Sequence, residues 1–241
     1  MRILLIGYGK MGQAIEGIAL KRGHELVGKI DVNNAFDLKK YNSANTDAAI
    51  EFTHPSSAFE NVKSGIEQGI PMVVGTTGWL DKKFEIEQLV KKLNGSFCYS
   101  SNYSVGVNVF WAANEYLAKL MNRHPDYDIT MEEIHHVYKK DAPSGTAITQ
   151  AEGILKNIAR KINWTIERET LTPENIFIDH KRVHNTPGTH SVVYTSGIDS
   201  IELKHTAFNR DGFATGAVLA AEYIHNKKGV FGMKEVLGID R

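Results

Sequence analysis

The chain of 241 residues carries 28 Lys plus Arg against 28 Asp plus Glu, a formal charge of zero with histidine neutral, so no overall field draws it to a polyanion or a membrane surface. Hydrophobic residues at 42 %, charged at 23 % and aromatics at 9 % match globular usage, which excludes disorder as the main state, and the length exceeds that of a bare binding module. The single cysteine, Cys98, excludes an internal disulfide or a cysteine metal cluster, and no apolar run approaches the roughly 20 residues that span a bilayer.

The chain opens directly on a strand-like run, Arg2 to Ile6, with no charged leader before an apolar stretch. A cytoplasmic protein is therefore expected, with neither nucleic acid nor membrane as partner. Short apolar runs then alternate with amphipathic ones: Ile3 to Ile6, Met11 to Lys21 and Glu25 to Ile30 read as a βαβ unit. The pattern continues with a strand at Ala48 to Phe52, a helix opened by Pro55 and Ser56, and a strand at Pro71 to Val74. A helix around Leu80 to Leu93 and a strand at Ser96 to Ser100 follow. Strands alternating with helices predict a Rossmann-like, doubly wound parallel sheet.

After about Tyr103 the pattern changes. A helix from Val107 to Met121 leads to a strand at Asp128 to Ile134, a loop with Asp141, Pro143 and Gly145, and a helix from about Ala147 to Arg160. His190 to Thr195 and Ser200 to Thr206 flank Ser196, Gly197, Ile198 and Asp199 as strands flank a hairpin loop. This half reads as an α+β domain with a mixed or antiparallel sheet. Apolar residues at Phe213, Ala217, Ala220, Ala221 and Ile224 have helical spacing and suit a helix that docks back on the first domain. The expected organisation is a dinucleotide-binding domain over 1–105, a substrate-binding and oligomerisation domain over 106–209, and a segment over 210–241 that returns to the first.

Three loops at one sheet edge carry the first chemical signal. Gly7-Tyr8-Gly9-Lys10-Met11-Gly12 is a G-x-G-x-x-G between a strand and a helix, where glycines let the turn be tight and the backbone approach a pyrophosphate at the helix N-terminus. Asp31 ends the second strand about 20 residues further on, where an acid closes on a ribose hydroxyl. No Arg follows it, since Val32, Asn33 and Asn34 stand there; the reading leans to NADH over NADPH, with Lys10 and Lys29 as nearby positive charge. Gly75-Thr76-Thr77-Gly78, Phe52-Thr53-His54 and Ser100-Ser101-Asn102-Tyr103 each follow a strand and face the same edge, so together they line a crevice.

The second signal runs from Glu132 to Thr146. Adjacent His135 and His136 at a strand end point to opposite faces unless the strand is turning, which gives them different tasks: one as general acid, one as binder. Lys139 brings a compact cation, and Ser144-Gly145-Thr146 at the mouth of a helix offers hydroxyls and N–H groups to an anion. Together they suit a small carboxylate. The same histidines with Glu132 and Glu133 have a metal-binding alternative, but their spacing is not that of a helical H-E-x-x-H, so no metal is expected. Seven of the ten histidines fall between His124 and His205, joined by Lys139, Lys140, Lys181 and Arg182, and a cationic second domain points to an anionic substrate.

The run His135-His136, Lys139, Asp141-Ala142-Pro143-Ser144-Gly145-Thr146 resembles the signature of the 4-hydroxy-tetrahydrodipicolinate (dihydrodipicolinate) reductase family of bacterial lysine biosynthesis. Further matches are Lys10-Met11-Gly12, Gly75 to Gly78, Asn102 to Asn108, Gly188-Thr189-His190, and Arg210 with Phe213 to Ala217. The resemblance implies a two-domain subunit, assembled as a homotetramer, that reduces a cyclic imine-type dicarboxylate with NADH or NADPH. It implies acid/base work at His135, proton donation at Lys139, and substrate binding at His136, Lys139, Ser144, Gly145 and Thr146. Cofactor contacts map onto Gly7 to Gly12, Asp31, Phe52, Thr53, Gly75 to Thr77 and Ser100 to Tyr103. Where many members carry Arg, this chain has Lys10 and Val32, which weakens a preference for NADPH. Tyr103 replaces a common Phe, and Val183 to Pro187 replaces a glycine-containing stretch, so the hairpin expected there differs.

A site shared between two domains predicts closure on substrate, with hinges near Tyr103 to Gly106 and near Asn209 to Gly212. Two other readings compete: another nicotinamide-dependent amino-acid dehydrogenase on the same two-domain plan, and a non-catalytic dinucleotide sensor. The sensor has no use for a proton donor, and the dehydrogenase leaves the Lys139 to Thr146 string unexplained.

Overall fold

The computed structural model describes residues 1–239. Met1–Val105 and the segment from Arg210 onward form one compact unit, and Gly106–Asn209 forms a second.

The first unit is built on a six-stranded sheet in which every pairing is parallel. Its strands are β1 (Arg2–Ile6), β2 (Glu25–Ile30), β3 (Ala48–Glu51), β4 (Met72–Val74), β5 (Ser96–Tyr99) and β11 (Gly229–Phe231), in the order β11-β5-β4-β3-β1-β2. The run Arg2-Ile3-Leu4-Leu5-Ile6 lacks polar alternation because both of its faces are covered, as parallel strands require. Ile3 and Leu5 point into a core with Ile15, Ala217 and Ala221, whereas Leu4 and Ile6 point into another with Val62, Ile66, Val90 and Phe97. That split follows from the two-residue period of a strand. It places α1 (Lys10–Lys21) and α6 (Asp211–Ile224) on one face, and α2 (Pro55–Glu67) and α3 (Lys83–Leu93) on the other. α6 packs against α1 and the sheet of this unit, and its small residues set how closely. A Cβ on Gly216 would fall 1.7 Å from the carbonyl oxygen of Tyr103, a distance only glycine permits.

The order of strands reverses direction between β1 and β3, whose carboxyl ends carry Gly7 and Phe52. Ligands of doubly wound sheets bind at such a switch point.

The second unit has a five-stranded mixed sheet, β10-β9-β6-β8-β7. Its strands are β6 (Asp128–His135), β7 (Asn163–Thr165), β8 (Asn175–Arg182), β9 (Gly188–Thr195) and β10 (Ser200–Ala207). β6, β8 and β7 run parallel, β9 pairs antiparallel with β6, and β10 pairs antiparallel with β9. The hairpin at Ser196 to Asp199 is present as predicted from the sequence, joining β9 to β10. The stretch after Arg182 is not a hairpin: β8 and β9 are separated by β6, and the connection steps over it. The helix predicted from Ala147 to Arg160 starts at Gly145 and stops early, as α5 (Gly145–Leu155). Asn157 ends it by donating its side-chain amide to the carbonyl of Gly153 while its N–H takes that of Ile154. β7, β8, β11 and a short helix α7 (Met233–Leu237) were not in the sequence reading. β7 and β11 have only three residues each, too few for a periodicity to show.

Residues Ile129 and Met131 of β6, with Val192 and Tyr194 of β9, pack into the core with α5 and with α4 (Val105–Met121). The same parity along β6 continues to Glu133 and His135, and along β9 back to His190 and Gly188. Register sets Glu133 directly opposite His190. The apolar face thus ends in a buried polar cluster beside the start of α5.

Candidate active site

In the first unit the glycine turn does three separate tasks. Gly7 has φ +95°, and a Cβ there would lie 2.0 Å from the Phe52 carbonyl oxygen. A Cβ on Gly12 would lie 2.3 Å from the Gly7 carbonyl oxygen, so that glycine lets α1 pack against its own turn. Gly9 differs: it is the N-cap of α1, has an ordinary φ of −82°, and a Cβ on it meets nothing within 4 Å. The space is open to a ligand. A Gly9→Val substitution is expected to leave the thermal midpoint unchanged while weakening NADH binding at least about tenfold, because the added methyls fill the approach to the helix N-terminus. Titration calorimetry beside a melting curve checks it, with Gly12→Ala as the contrasting variant that loses stability.

Two cavities of about 370 and 380 Å³ share Gly9, Phe52 and Thr53 and make one trough. Its first part reaches Asp31, Val32 and Ala35, and its second reaches Lys10, Met11, Gly75, Thr76 and Thr77. The Asp31 carboxylate accepts the N–H of Asn33 at 2.7 Å, which fixes it at the end of β2. Lys29 is 2.7 Å from Glu16 and lies over the Tyr8 ring at 4.3 Å, while the Tyr8 hydroxyl also donates to Glu16. The residues present fit a dinucleotide: an open glycine cradle at a helix start, and an acid about one strand away.

The floor of the trough rests on a residue not singled out from the sequence. Glu51, fully buried at the end of β3, accepts the N–H of Thr53 at 3.1 Å and also its hydroxyl, and the same N–H reaches Thr76 Oγ1 at 2.8 Å. Burial pushes the Glu51 carboxyl above its ordinary range, against hydrogen bonds from Thr53, Thr76 and Asn61. Trp79 donates its indole N–H to the Thr76 carbonyl at 2.8 Å and pins the same loop from below.

The loop after β5 is mostly self-bonded. Ser100 donates its hydroxyl to the Asn102 carbonyl at 2.7 Å, and the Asn102 side chain accepts the Ser104 N–H at 2.9 Å. Ser101 is exposed. Tyr103 is buried, with its hydroxyl 3.0 Å from the carbonyls of Val74 and Cys98 and its ring tilted against Phe52 at 5.8 Å. Its hydroxyl braces β4 and β5 and does not face the trough.

In the second unit, His135 is buried and its ring meets that of His190 edge-on at 5.0 Å. Gly188 leaves room for it, since a Cβ there would stand 3.3 Å from His135 Nε2. His135 Nδ1 lies 3.6 Å from the carboxylate of Glu133, whose other neighbours are the N–H of Ser144 at 3.0 Å and the guanidinium of Arg182 at 3.5 Å. Burial lowers the pKa of His135, with Glu133 and Asp141 opposing and Lys139 and Arg182 reinforcing.

His136 is half-buried on the turn beyond the strand, and its ring lies 6.2 Å from that of Tyr138. Lys139 donates to both carboxylate oxygens of Asp141, at 2.9 and 2.7 Å. Arg182 holds this turn by donating to the carbonyls of Lys139 at 3.2 Å and Asp141 at 2.8 Å. Ser144 caps α5, accepting the Ala147 N–H at 3.2 Å, and exposed Gly145 follows with nothing near its missing Cβ. Thr146 stands half-buried beside it. The expected residues therefore assemble on one turn, with Glu133, Arg182 and His190 as members the sequence reading did not assign.

Glu133, His135 and His190 each bring a ligand-type atom within 4.8 Å of the others. Arg182 and Lys139 both press positive charge on this group, which opposes a further cation and suits proton handling. Glu132 is not part of it and pairs with Lys181.

His190 is held neutral, its pKa lowered to about 3 by burial first and then by His135, His205 and Lys139. In the unfolded chain it titrates near 6.5. Between those values the unfolded chain binds a proton that the folded chain refuses, so stability falls as pH drops from about 6.5 toward 3, by up to about 1.4 kcal/mol per pH unit. Urea unfolding across that range is expected to show this slope, and a His190→Gln variant to lose it.

A dinucleotide trough at the switch point of a parallel sheet, on a chain whose other unit carries a buried histidine beside a turn bearing Lys139 and Arg182, fits the class of nicotinamide-dependent oxidoreductases. Comparison with known proteins narrows the class. Residues 1–103 match the family model of the dihydrodipicolinate reductase N-terminus, and residues 106–237 match that of its C-terminus. The chain is 46 % identical over 237 residues to 4-hydroxy-tetrahydrodipicolinate reductase of Christiangramia forsetii, covering 98 % of each chain. It is 38 % identical over 223 residues to that of Methanocaldococcus jannaschii, covering 89 % of this chain and 80 % of the relative. Among solved structures, a dipicolinate-bound dihydrodipicolinate reductase from Paenisporosarcina sp. TG-14 superposes with a TM-score of 0.78 at 22 % identity, over 98 % of each chain. The C. glutamicum DAP dehydrogenase in complex with DAP reaches only 0.55 at 12 % identity, over 98 % of this chain and 93 % of its own, a likeness of fold alone. The chain belongs to the dihydrodipicolinate reductase family and is an NAD(P)H-dependent oxidoreductase.

Proposed function

We propose that this chain reduces 4-hydroxy-tetrahydrodipicolinate to tetrahydrodipicolinate with NAD(P)H, in lysine and diaminopimelate biosynthesis. The observation that carries the reading is the turn from His135 to Thr146, where a buried histidine, a lysine and the start of α5 stand together. Gly7 to Gly12, Asp31, Phe52, Thr53 and Gly75 to Thr77 hold the dinucleotide, with the loop Ser100 to Tyr103 closing the edge. When bound, the cofactor supplies the hydride.

Lys139, His136, the Ser144 to Thr146 helix start and its hydroxyls clamp the two carboxylates with charge-assisted bonds and fix the ring's orientation. The net change is gain of a hydride and a proton and loss of the 4-hydroxyl as water, and hydride addition to the unsaturated imine leaves an electron-rich centre that needs a proton. His135 supplies it, and its lowered pKa makes the imidazolium a stronger acid near neutral pH. Lys139, re-paired from Asp141, is the second donor.

NADH is the favoured cofactor. Val32, 93 % exposed, stands where a 2′-phosphate needs a cation, and Lys29 is already committed to Glu16 and Tyr8. The working form is a cytoplasmic homotetramer.

Pyridine-2,6-dicarboxylate, a planar dicarboxylate of the same outline, tests the clamp. Competitive inhibition against the imine substrate and calorimetric binding that is lost in Lys139→Ala are expected; binding unchanged in that variant would place the substrate elsewhere.

A further inference from the structure

Resting on the reading above, we propose that Glu133 is a positioning residue that sets the orientation and protonation of His135 and ties the proton donor to the carboxylate-binding turn. Glu133 lies two residues before His135 on the same face of β6, and its side chain is fully shut off from solvent. One carboxylate oxygen takes the N–H of Ser144, the residue that caps α5, and stands 3.6 Å from His135 Nδ1. Oε1 of Glu133 and Nδ1 of His135 are both buried without a hydrogen-bond partner. The oxygen nearest Nδ1 is Oε2, which takes the Ser144 N–H and has a lone pair to spare, while Oε1 faces the Arg182 guanidinium at 3.5 Å; a small approach of the unsatisfied Nδ1 to Oε2, of the kind ligand binding commonly supplies, completes a hydrogen bond.

The consequence is a defined tautomer. With Nδ1–H directed to Glu133, Nε2 is the nitrogen that carries and releases the transferable proton, the logic of a base oriented by a third group. The groups facing His135 are Glu133 on its own strand, His190 from β9, Lys139 and Asp141 from the turn, and Arg182 from β8. Of these, Glu133 is the fully buried anion, so it does most to keep the imidazolium accessible against burial and two cations. Through Ser144 the same carboxylate also fixes the start of the helix that receives the substrate carboxylate.

Glu133→Gln removes the charge and keeps the shape. The expected result is a kcat lowered at least about tenfold with KM for NADH unchanged, and the histidine limb of the kcat/KM pH profile moved down by about one unit. Wild-type kcat and an unmoved limb in Glu133→Gln, beside a collapsed kcat in His135→Gln, would overturn the positioning role and leave the reductase reading intact. Full turnover in both variants would overturn the reductase assignment of His135 itself. A measurement on the unaltered protein keeps the test independent of folding: 15N spectra of the histidine side chains are expected to show neutral His135 as the Nδ1–H tautomer, and the Nε2–H tautomer would overturn the proposal.

Discussion

Replacing His135 by Gln is expected to lower kcat by about two to three orders of magnitude while the dissociation constant for NADH stays within about twofold, as loss of a general acid usually costs 10²- to 10⁴-fold. The physical grounds are local. His135 is confined by Gly188 and His190 and shielded by burial, so no neighbouring imidazole moves in to replace it. The neighbour His190 has a pKa lowered to about 3 and is neutral at working pH. Gln keeps the volume and a hydrogen-bonding end toward Glu133, so the loss reads on the proton and not on packing. Steady-state kinetics with calorimetry separate the two; unchanged kcat would remove His135 from the chemistry.

Lys139→Ala is expected to damage both parameters, lowering kcat by about 100-fold and raising KM for the dicarboxylate by about tenfold, with KM for NADH little changed. The ammonium does two things here. In the proposed function it is the charge-assisted partner of a substrate carboxylate, and in the structure it neutralises Asp141, whose carboxyl it holds below the usual range. Removing it leaves Asp141 as an uncompensated anion beside the turn proposed to bind the substrate carboxylates. The turn itself survives, because Arg182 fastens it through the backbone carbonyls of residues 139 and 141. An additional Asp141→Asn change in the Lys139→Ala background is expected to recover part of the KM effect and none of the kcat effect, which initial rates across substrate concentration measure directly.

Much of this was legible in the sequence, for reasons tied to particular residues. Ile3 to Ile6 reads as a buried parallel strand because it has no polar alternation, and the glycine turn reads from its place between strand and helix. The helix at Asp211–Ile224 reads from its apolar spacing. What escaped depended on partners distant in the chain. Glu133 joins His190 through the register of β6 against β9, separated by 57 residues, and no local period carries that pairing. The parity of Ile129, Met131, Glu133 and His135 was present in the sequence and placed the acid and the histidine on one face. Arg182 read as general positive charge because its target is backbone carbonyl, which leaves no trace in side-chain pattern. Glu51 carries no signal within the strand predicted from Ala48 to Phe52, because its role is set by the loop after β4. Tyr103 shows the converse: a loop position at the cofactor edge whose side chain turns inward.

The most direct measurement generates the substrate in place from pyruvate and aspartate semialdehyde with the preceding synthase, adds this protein, and follows nicotinamide absorbance with NADH and NADPH in separate runs. Oxidation that requires every component, with the higher kcat/KM for NADH, is the expected result. No oxidation with either cofactor, in protein shown to bind NADH, would contradict a reductase and leave a dinucleotide-binding protein of another kind.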